Sequence, residues 1–379
     1  MITISDTFTE FPDPSFVLCR PHGTVAASGI EDVFGTAQEA MRALRGGQAR
    51  HIVGPLPFAP GARAALWAPK SFSSSEGRYR PRTITAPTFE FDAAVPSPQT
   101  HVQRVADAVR LLADPSHPIR KVVLARAVRA RSGSSVRPRE VLDALVSTDP
   151  MGNGFLVDLS AAGAPYRGRH LLGSSPEVLV RRESTEVLSH PLAGSAGRVL
   201  GDDRADRAVA LELLASAKDQ HEHGYVVDHV GAVLRNRCDQ VHTPAAELTA
   251  TPEMWHIGTP ITARVPEAGP SALELAAALH PTPAICGTPT AAAAHLIAEL
   301  EGDRGFYAGA VGWCDADGHG EWMVSIRCAE LSADGRGLLA HAGGGIVAES
   351  DPLAELAETT GKFQRIMRPL GITDLKLVA

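Results

Sequence analysis

The run "FYAGAVGWCDADGHGEWMVSIRCAEL", residues 306–331, decides the fold. Two apolar segments flank the turn signal "DADGHG" (315–320), which predicts an antiparallel hairpin and not a strand–helix–strand unit. Working outward, "GFLVDL" (154–159), "RHLLGSS" (169–175), "EVLVRR" (177–182) and "TEVLSH" (185–190) read as further strands. Their short spacing and turn residues suggest antiparallel neighbours. "KVVLARAVRA" (121–130) is another strand, headed by Lys121. Nearer the amino terminus, "SFVLCR", "HIVGPLPF" and "AALWAP" read as strands separated by Gly and Pro, and the polar "KSFSSSEGRYRPR" (70–82) as a basic loop. Helical spacing appears at 101–114, from Asp203 to Arg237, at "PSALELAAALHP" (270–281) and at "PTAAAAHLIAELEG" (289–302). It returns at "DPLAELAETTGKFQRIM" (351–367), with Asp351 as N-cap and Pro352 at the first helical position. Many strands interrupted by helices, with no strict βαβ alternation and no internal repeat, predict an α+β fold with antiparallel sheets.

The 379 residues are 44 % hydrophobic and 21 % charged, the composition of an ordinary globular protein, and the net charge is -7. That balance leaves no broad basic face for nucleic acid; an anionic ligand has to be met by a few placed cations, which suits a small molecule. The five cysteines, Cys19, Cys238, Cys286, Cys314 and Cys328, are scattered without CxxC spacing, so reduced thiols are expected and not a disulfide framework. The stretch "MITISDTFTEFPDPSF" has no basic region followed by an apolar run, and no uninterrupted apolar segment of about 18 residues occurs. No membrane partner and a cytoplasmic location are the expectations.

"KDQHEHGYVV" (218–227) has the look of a zinc site. On a helix over 218–236, however, His221 and His223 stand about 200° apart, because only residues three or four apart share a face. The same geometry puts Asp219 and Glu222 together, an oxygen-donor pair suited to a hard cation such as Mg²⁺. A solvated helix face has the same spacing and stays open as a reading. A second helix repeats the theme: Glu355, Glu358 and Lys362 fall at i, i+3 and i+7, where Glu358 and Lys362 are also an ordinary surface pair. Just before it, Gly343, Gly344 and Gly345 in "HAGGGIVAES" weaken a strand, which either the approach of a ligand to the backbone or a bulge explains.

Taken in order, "KVVLAR", "LLGSSPEVLVRR", "HPLAGSAGR", "AKDQHEH", "MWHIGTPI", "LHPTPAICGTPTAAA", "GAVGWCDADGHGEWMVSIRCAEL" and "AGGGIVAESDPLAELAETTGK" resemble the chorismate-utilising enzymes. The likeness runs from about Lys121 to the carboxy terminus and is nearest to the isochorismate synthases of siderophore pathways. It implies one chorismate-binding domain over 1–379, with 1–100 a variable amino-terminal part and 101–379 the motif-bearing catalytic part. The implied fold, like that of anthranilate synthase component I, is two antiparallel β-sheets packed as a sandwich with helices outside. A monomer or weak homodimer is expected.

The resemblance also implies roles. Mg²⁺ is held by Glu222 and Glu358, with Asp219 and Glu355 supporting it directly or through water. Lys121 activates the attacking water and Glu177 protonates the leaving hydroxyl, which requires the lysine to titrate lower and the glutamate higher than usual. Arg327 and Tyr307 receive the enolpyruvyl carboxylate; Lys362 and the backbone at Gly343 face the substrate near the metal; Gly194 and Ser195 hold the ring; Ala284 lines the pocket. His256 is a weaker candidate. Ala193 stands where aminodeoxychorismate synthases commonly carry an attacking lysine, which leaves room for water, and the chain has no recognisable glutaminase domain. Tyr307 keeps a salicylate synthase, which forms isochorismate and then eliminates pyruvate, as the rival expectation.

Overall fold

The computed structural model describes residues 14–82 and 85–373; most of the amino-terminal stretch discussed above, residues 1–13, lies outside them. The hairpin that opened the reading is present as Ala310–Asp315 paired with Gly320–Val324, in the register Ala310↔Val324 to Cys314↔Gly320. Among the described residues it sits in a 17-stranded antiparallel ladder, and a separate three-stranded sheet is made by Leu192–Gly197, Met254–Gly258 and Glu247–Ala250.

The ladder folds over on itself to give the two layers expected of a sandwich. One layer runs from Lys121–Arg131 through Gly337–Ile346, Cys328–Leu331, His170–Gly173 and Gly154–Asp158 to Phe16–Arg20. The other runs from His51–Leu56 through the central hairpin to Val178–Glu183 and Glu186–His190. The long antiparallel pair Gly23–Phe34 with Leu66–Glu76, between which the chain makes the helix Ala37–Arg45 and the strand His51–Leu56, joins them, so backbone pairing is continuous from one layer to the next. Side chains alternate along each strand. Leu18, Phe155 and Val157 share a buried cluster with Ile52, Val180 and Trp322 of the second layer. Their neighbours Val17 and Leu156 turn to the opposite face and are covered by the helices Pro138–Ser147 and Pro352–Met367. At the layer edge Arg20 Nε donates to Glu321 Oε1 at 2.9 Å, an ion pair between the layers.

Three local expectations are corrected. Residues 70–76 are not loop: they complete the strand Leu66–Glu76, paired from Gly23↔Glu76 upward. Their polarity concealed this because the ladder satisfies the backbone while Ser71 and Ser74 are exposed and one side chain, Phe72, anchors the strand by stacking on His51 at 3.9 Å. The helical region from Asp203 is two helices, Asp203–Ala215 and Ala217–Arg235, since extended Ser216 ends the first and caps the second by accepting from Asp219 N at 3.3 Å. The helix expected at 101–114 spans Pro98–Leu112, capped by Ser97. Two short helices, Ala37–Arg45 and Pro138–Ser147, were not foreseen; the first is closed by a reciprocal cap between Thr36 and Glu39. No helix among the described residues is long and apolar enough to cross a membrane.

Candidate active site

The small sheet, the first turns of Ala217–Arg235, the strand Gly337–Ile346 and the helix Pro352–Met367 surround a cleft of about 570 Å³, its open mouth included. Glu177, Gly194, Ser195, Glu222, Ala284, Tyr307, Arg327, Gly343, Glu358 and Lys362 all line it. Lys121, Asp219 and Glu355 lie behind its wall: Lys121 is 0 % exposed and Glu355 1 %. The two acidic helices therefore do meet, and Glu222 and Glu358 face one space.

Helix starts set this geometry. Asp351 accepts from Ala354 N at 2.8 Å, which begins the second helix so that Glu355, Glu358 and Lys362 follow on one stripe. Ser216 does the same for Lys218, Asp219 and Glu222. The histidines separate as expected: His223 is buried with Nε2 2.8 Å from Thr259 Oγ1, while His221 is exposed beside Tyr225.

Each of the three glutamates on the two helices, Glu222, Glu355 and Glu358, has a lysine against it. Lys121 Nζ stands 3.0 Å from Glu222 Oε1, outside aligned hydrogen-bond geometry. Lys218 Nζ donates to Glu355 Oε1 at 2.9 Å, and Lys362 Nζ donates to Glu358 and, at 3.0 Å, to the Gly343 carbonyl. Burial alone would raise the Glu222 carboxyl, yet Lys121, Lys362 and Lys218 together hold it below the ordinary range. Glu355 has the opposite fate. Burial and the neighbouring charge of Glu358 push it up to about 7 against the pull of Lys218 and Ser350. Asp219 is raised by burial and by the charges of Glu222 and Glu358.

The opposite wall carries Glu177, 3 % exposed and pushed up to about 7 by burial, with Arg327, Lys121 and Lys362 pulling it down. That direction is the one a proton donor needs near neutral pH. Arg327 has φ of 49°, the left-handed region, and its carbonyl accepts from Ser174 N at 3.0 Å. A non-glycine residue held there is strained, and such strain collects at ligand sites. Tyr307 is stacked on His341 with ring centroids 4.7 Å apart, and burial raises its phenol. His256 bridges two predicted substrate contacts, with Nδ1 2.9 Å from Ser195 Oγ and Nε2 3.3 Å from the Arg327 guanidinium.

The glycines are explained by close approach. A Cβ on Gly345 would lie 2.1 Å from Glu222 Oε1, and one on Gly344 2.9 Å from Glu355 Oε2 and 3.9 Å from Glu358 Oε1. On Gly343 it would lie 2.9 Å from the Tyr307 hydroxyl. Only a strand without side chains lets both helices bring their carboxylates to its face.

Sequence reasoning missed the apolar lining, namely Val123, Leu192, Ile285 and Ile326, which looks like any core run, and the pairing of Lys218 with Glu355. The signal for Lys218 was present: it sits four residues before Glu222 on the same helix face.

The donor chemistry fits a hard divalent cation: carboxylates from two helices converge, and Glu355 Oε2 is buried without a hydrogen-bond partner. Among the described residues no three His, Cys, Asp or Glu side chains stand at metal-binding distance, because lysines hold the acids.

Comparison with known proteins identifies the family and the fold. The profile of the family described as "Chorismate binding enzyme" matches residues 66–371. MenF of Mycobacterium tuberculosis (strain ATCC 25618 / H37Rv) is 47 % identical over 365 residues, covering 96 % of this chain and 98 % of that protein. Isochorismate synthase DhbC of Bacillus subtilis (strain 168) is 39 % identical over 386 residues, covering 97 % and 96 %. The crystal structure of DhbC from Bacillus anthracis superposes with a TM-score of 0.87 at 34 % identity, covering 98 % of this chain and 100 % of that one. Anthranilate synthase component I from Streptococcus pneumoniae shares the fold at a TM-score of 0.68. With the profile spanning most of the chain and relatives matched nearly end to end, this protein belongs to the chorismate-binding enzyme family.

Proposed function

We propose that the protein is an isochorismate synthase, an isomerase that adds water at ring C2 of chorismate and expels the C4 hydroxyl as water while the ring double bonds shift. The observation that carries this reading is a cleft-lining carboxyl, Glu177, titrating at about 7, with the fully buried Lys121 behind the cleft wall. Lys121 takes the proton of the incoming water. Glu177, protonated, gives its proton to the departing hydroxyl, so one water enters and one leaves. Arg327, with Tyr307 beside it, receives the enolpyruvyl carboxylate, since a planar guanidinium can make two bonds to it at once. Gly194, Ser195 and Ala284 hold the ring, and Lys362 with the Gly343 backbone meets the ring carboxylate.

Mg²⁺ is the proposed ion, held by Glu222 and Glu358 with support from Asp219 and Glu355; when bound it offsets the negative charge that the acidic helices present to a dianionic substrate. A like-charge contact at 4 Å costs about 4 kcal/mol at an effective dielectric near 20, so those helices would otherwise repel the ring carboxylate. A siderophore-type role rests on the forms "HPTPAICGTPT" and "GWCDADGHGEW" and on the likeness to DhbC.

Tyr307 supports the rival, a salicylate synthase; the names of the matched relatives favour isochorismate. Product analysis decides between them. Purified protein given chorismate and Mg²⁺ is expected to accumulate isochorismate, while salicylate with equimolar pyruvate would establish the rival and no turnover would refute both.

A further inference from the structure

His256 has no hydrogen bond to an acid among the described residues and was not needed for the proton transfers above, yet both its ring nitrogens are engaged by groups that line the cleft. It lies on Met254–Gly258, directly opposite Ser195 of Leu192–Gly197, past an irregularity in register between Ala193 and Ser195. The ring is 3 % exposed. Burial, with the cations Arg327 and Lys362 nearby, holds it well below the ordinary histidine range, so it is neutral at physiological pH.

A neutral imidazole has one donor and one acceptor, and a guanidinium has donors only. Nε2, 3.3 Å from the Arg327 guanidinium, must therefore accept; a proton there would set N–H against N–H. The ring proton is left on Nδ1, which donates to Ser195 Oγ at 2.9 Å. Ser195 Oγ thus spends a lone pair on His256. No other protein partner of this hydroxyl is found among the described residues, and Ser195 lines the cleft, so its own O–H is turned toward bound substrate.

We propose that His256 is a positioning residue, fixed as the Nδ1–H tautomer, which pins one arm of Arg327 and makes the Ser195 hydroxyl an obligatory donor to an oxygen of the substrate. The fixed tautomer stands on this structure alone, whereas the effect on substrate rests on the isochorismate synthase reading. One neutral ring thereby links the arginine for the side-chain carboxylate to the hydroxyl for the ring, so the two ends of the ligand are registered by a single hydrogen-bonded chain.

The test has two arms. Protein labelled with ¹⁵N-histidine, with the His256 resonances assigned by their loss in His256→Gln, is read by nitrogen–proton correlation between pH 6 and 9. The expected pattern is a protonated Nδ1 and an unprotonated Nε2 throughout; the Nε2–H tautomer or a charged ring overturns the proposal whether or not the protein turns over chorismate. In steady-state kinetics, His256→Leu is expected to raise KM about ten- to hundredfold with a smaller change in kcat. His256→Asn, which places an amide N–H where Nδ1–H was, is expected to recover most of that loss. An unchanged KM in the leucine variant, or an asparagine variant no better than leucine, contradicts the role.

Discussion

At the scale of single residues, the account turns on groups whose protonation is set by burial. Glu177 has a folded value of about 7 against an ordinary 4.5. As a proton donor it fails once ionised, so turnover is expected to fall as pH rises through about 7, and Glu177→Gln is expected to lose nearly all activity while staying folded. Stability carries the same sign. Between the unfolded and folded values the native state holds a proton that the unfolded chain has released, so stability declines as pH rises across that window. Above it the buried charge costs about 3 kcal/mol. Denaturant titration is expected to show Glu177→Gln more stable than the parent by up to that order at pH 8 and equal to it at pH 4; a parent that gains on the variant as pH rises would contradict the burial argument. Lys121→Ala is expected to abolish product formation and, by leaving Glu222 buried without its cation, to cost about 3–5 kcal/mol of stability. The family resemblance carried by the ordered motifs put both residues in view, whereas burial, which sets the chemistry of Glu177, emerges only when strands distant in sequence close around it.

At the scale of elements, the strand Gly337–Ile346 and the start of Ala217–Arg235 are the critical pieces. Gly345→Ala puts a methyl 2.1 Å from Glu222 Oε1 and 3.0 Å from Lys121 Cε. It is expected to eliminate turnover and weaken divalent-cation binding, while Gly344→Ala, meeting only side-chain ends at 2.9 Å or more, is expected to be milder; calorimetric titration with Mg²⁺ separates the two. Ser216→Ala removes a cap and is expected to lower stability by about 1 kcal/mol, read from the denaturation midpoint. The sequence made the acidic stripes and the glycine run legible, because helical spacing and missing side chains are local signals. It did not reveal the break at Ser216, where serine serves a helix interior or a cap equally well by composition. Nor did it reveal the strand at 70–76, whose pairing partner lies at 23–28.

For the whole molecule, one antiparallel ladder doubles back so that the layer bearing Lys121 and Gly343–Gly345 and the layer bearing Glu177 close around the same cleft. The Arg20–Glu321 pair ties the layers at their edge, with side chains 11 % and 4 % exposed. Antiparallel architecture followed from the central hairpin; continuity of the ladder did not, since it depends on pairing between Gly23–Phe34 and Leu66–Glu76, strands separated in the chain by a helix and another strand. The central claim at this scale is that a carboxylate-rich wall accepts an organic dianion only with a divalent cation between them. The most direct measurement is calorimetric titration of chorismate into the Glu177→Gln protein, first with Mg²⁺ and then after chelation. The account predicts clear binding with the ion and affinity at least about tenfold weaker without it; equal affinity under both conditions would contradict it.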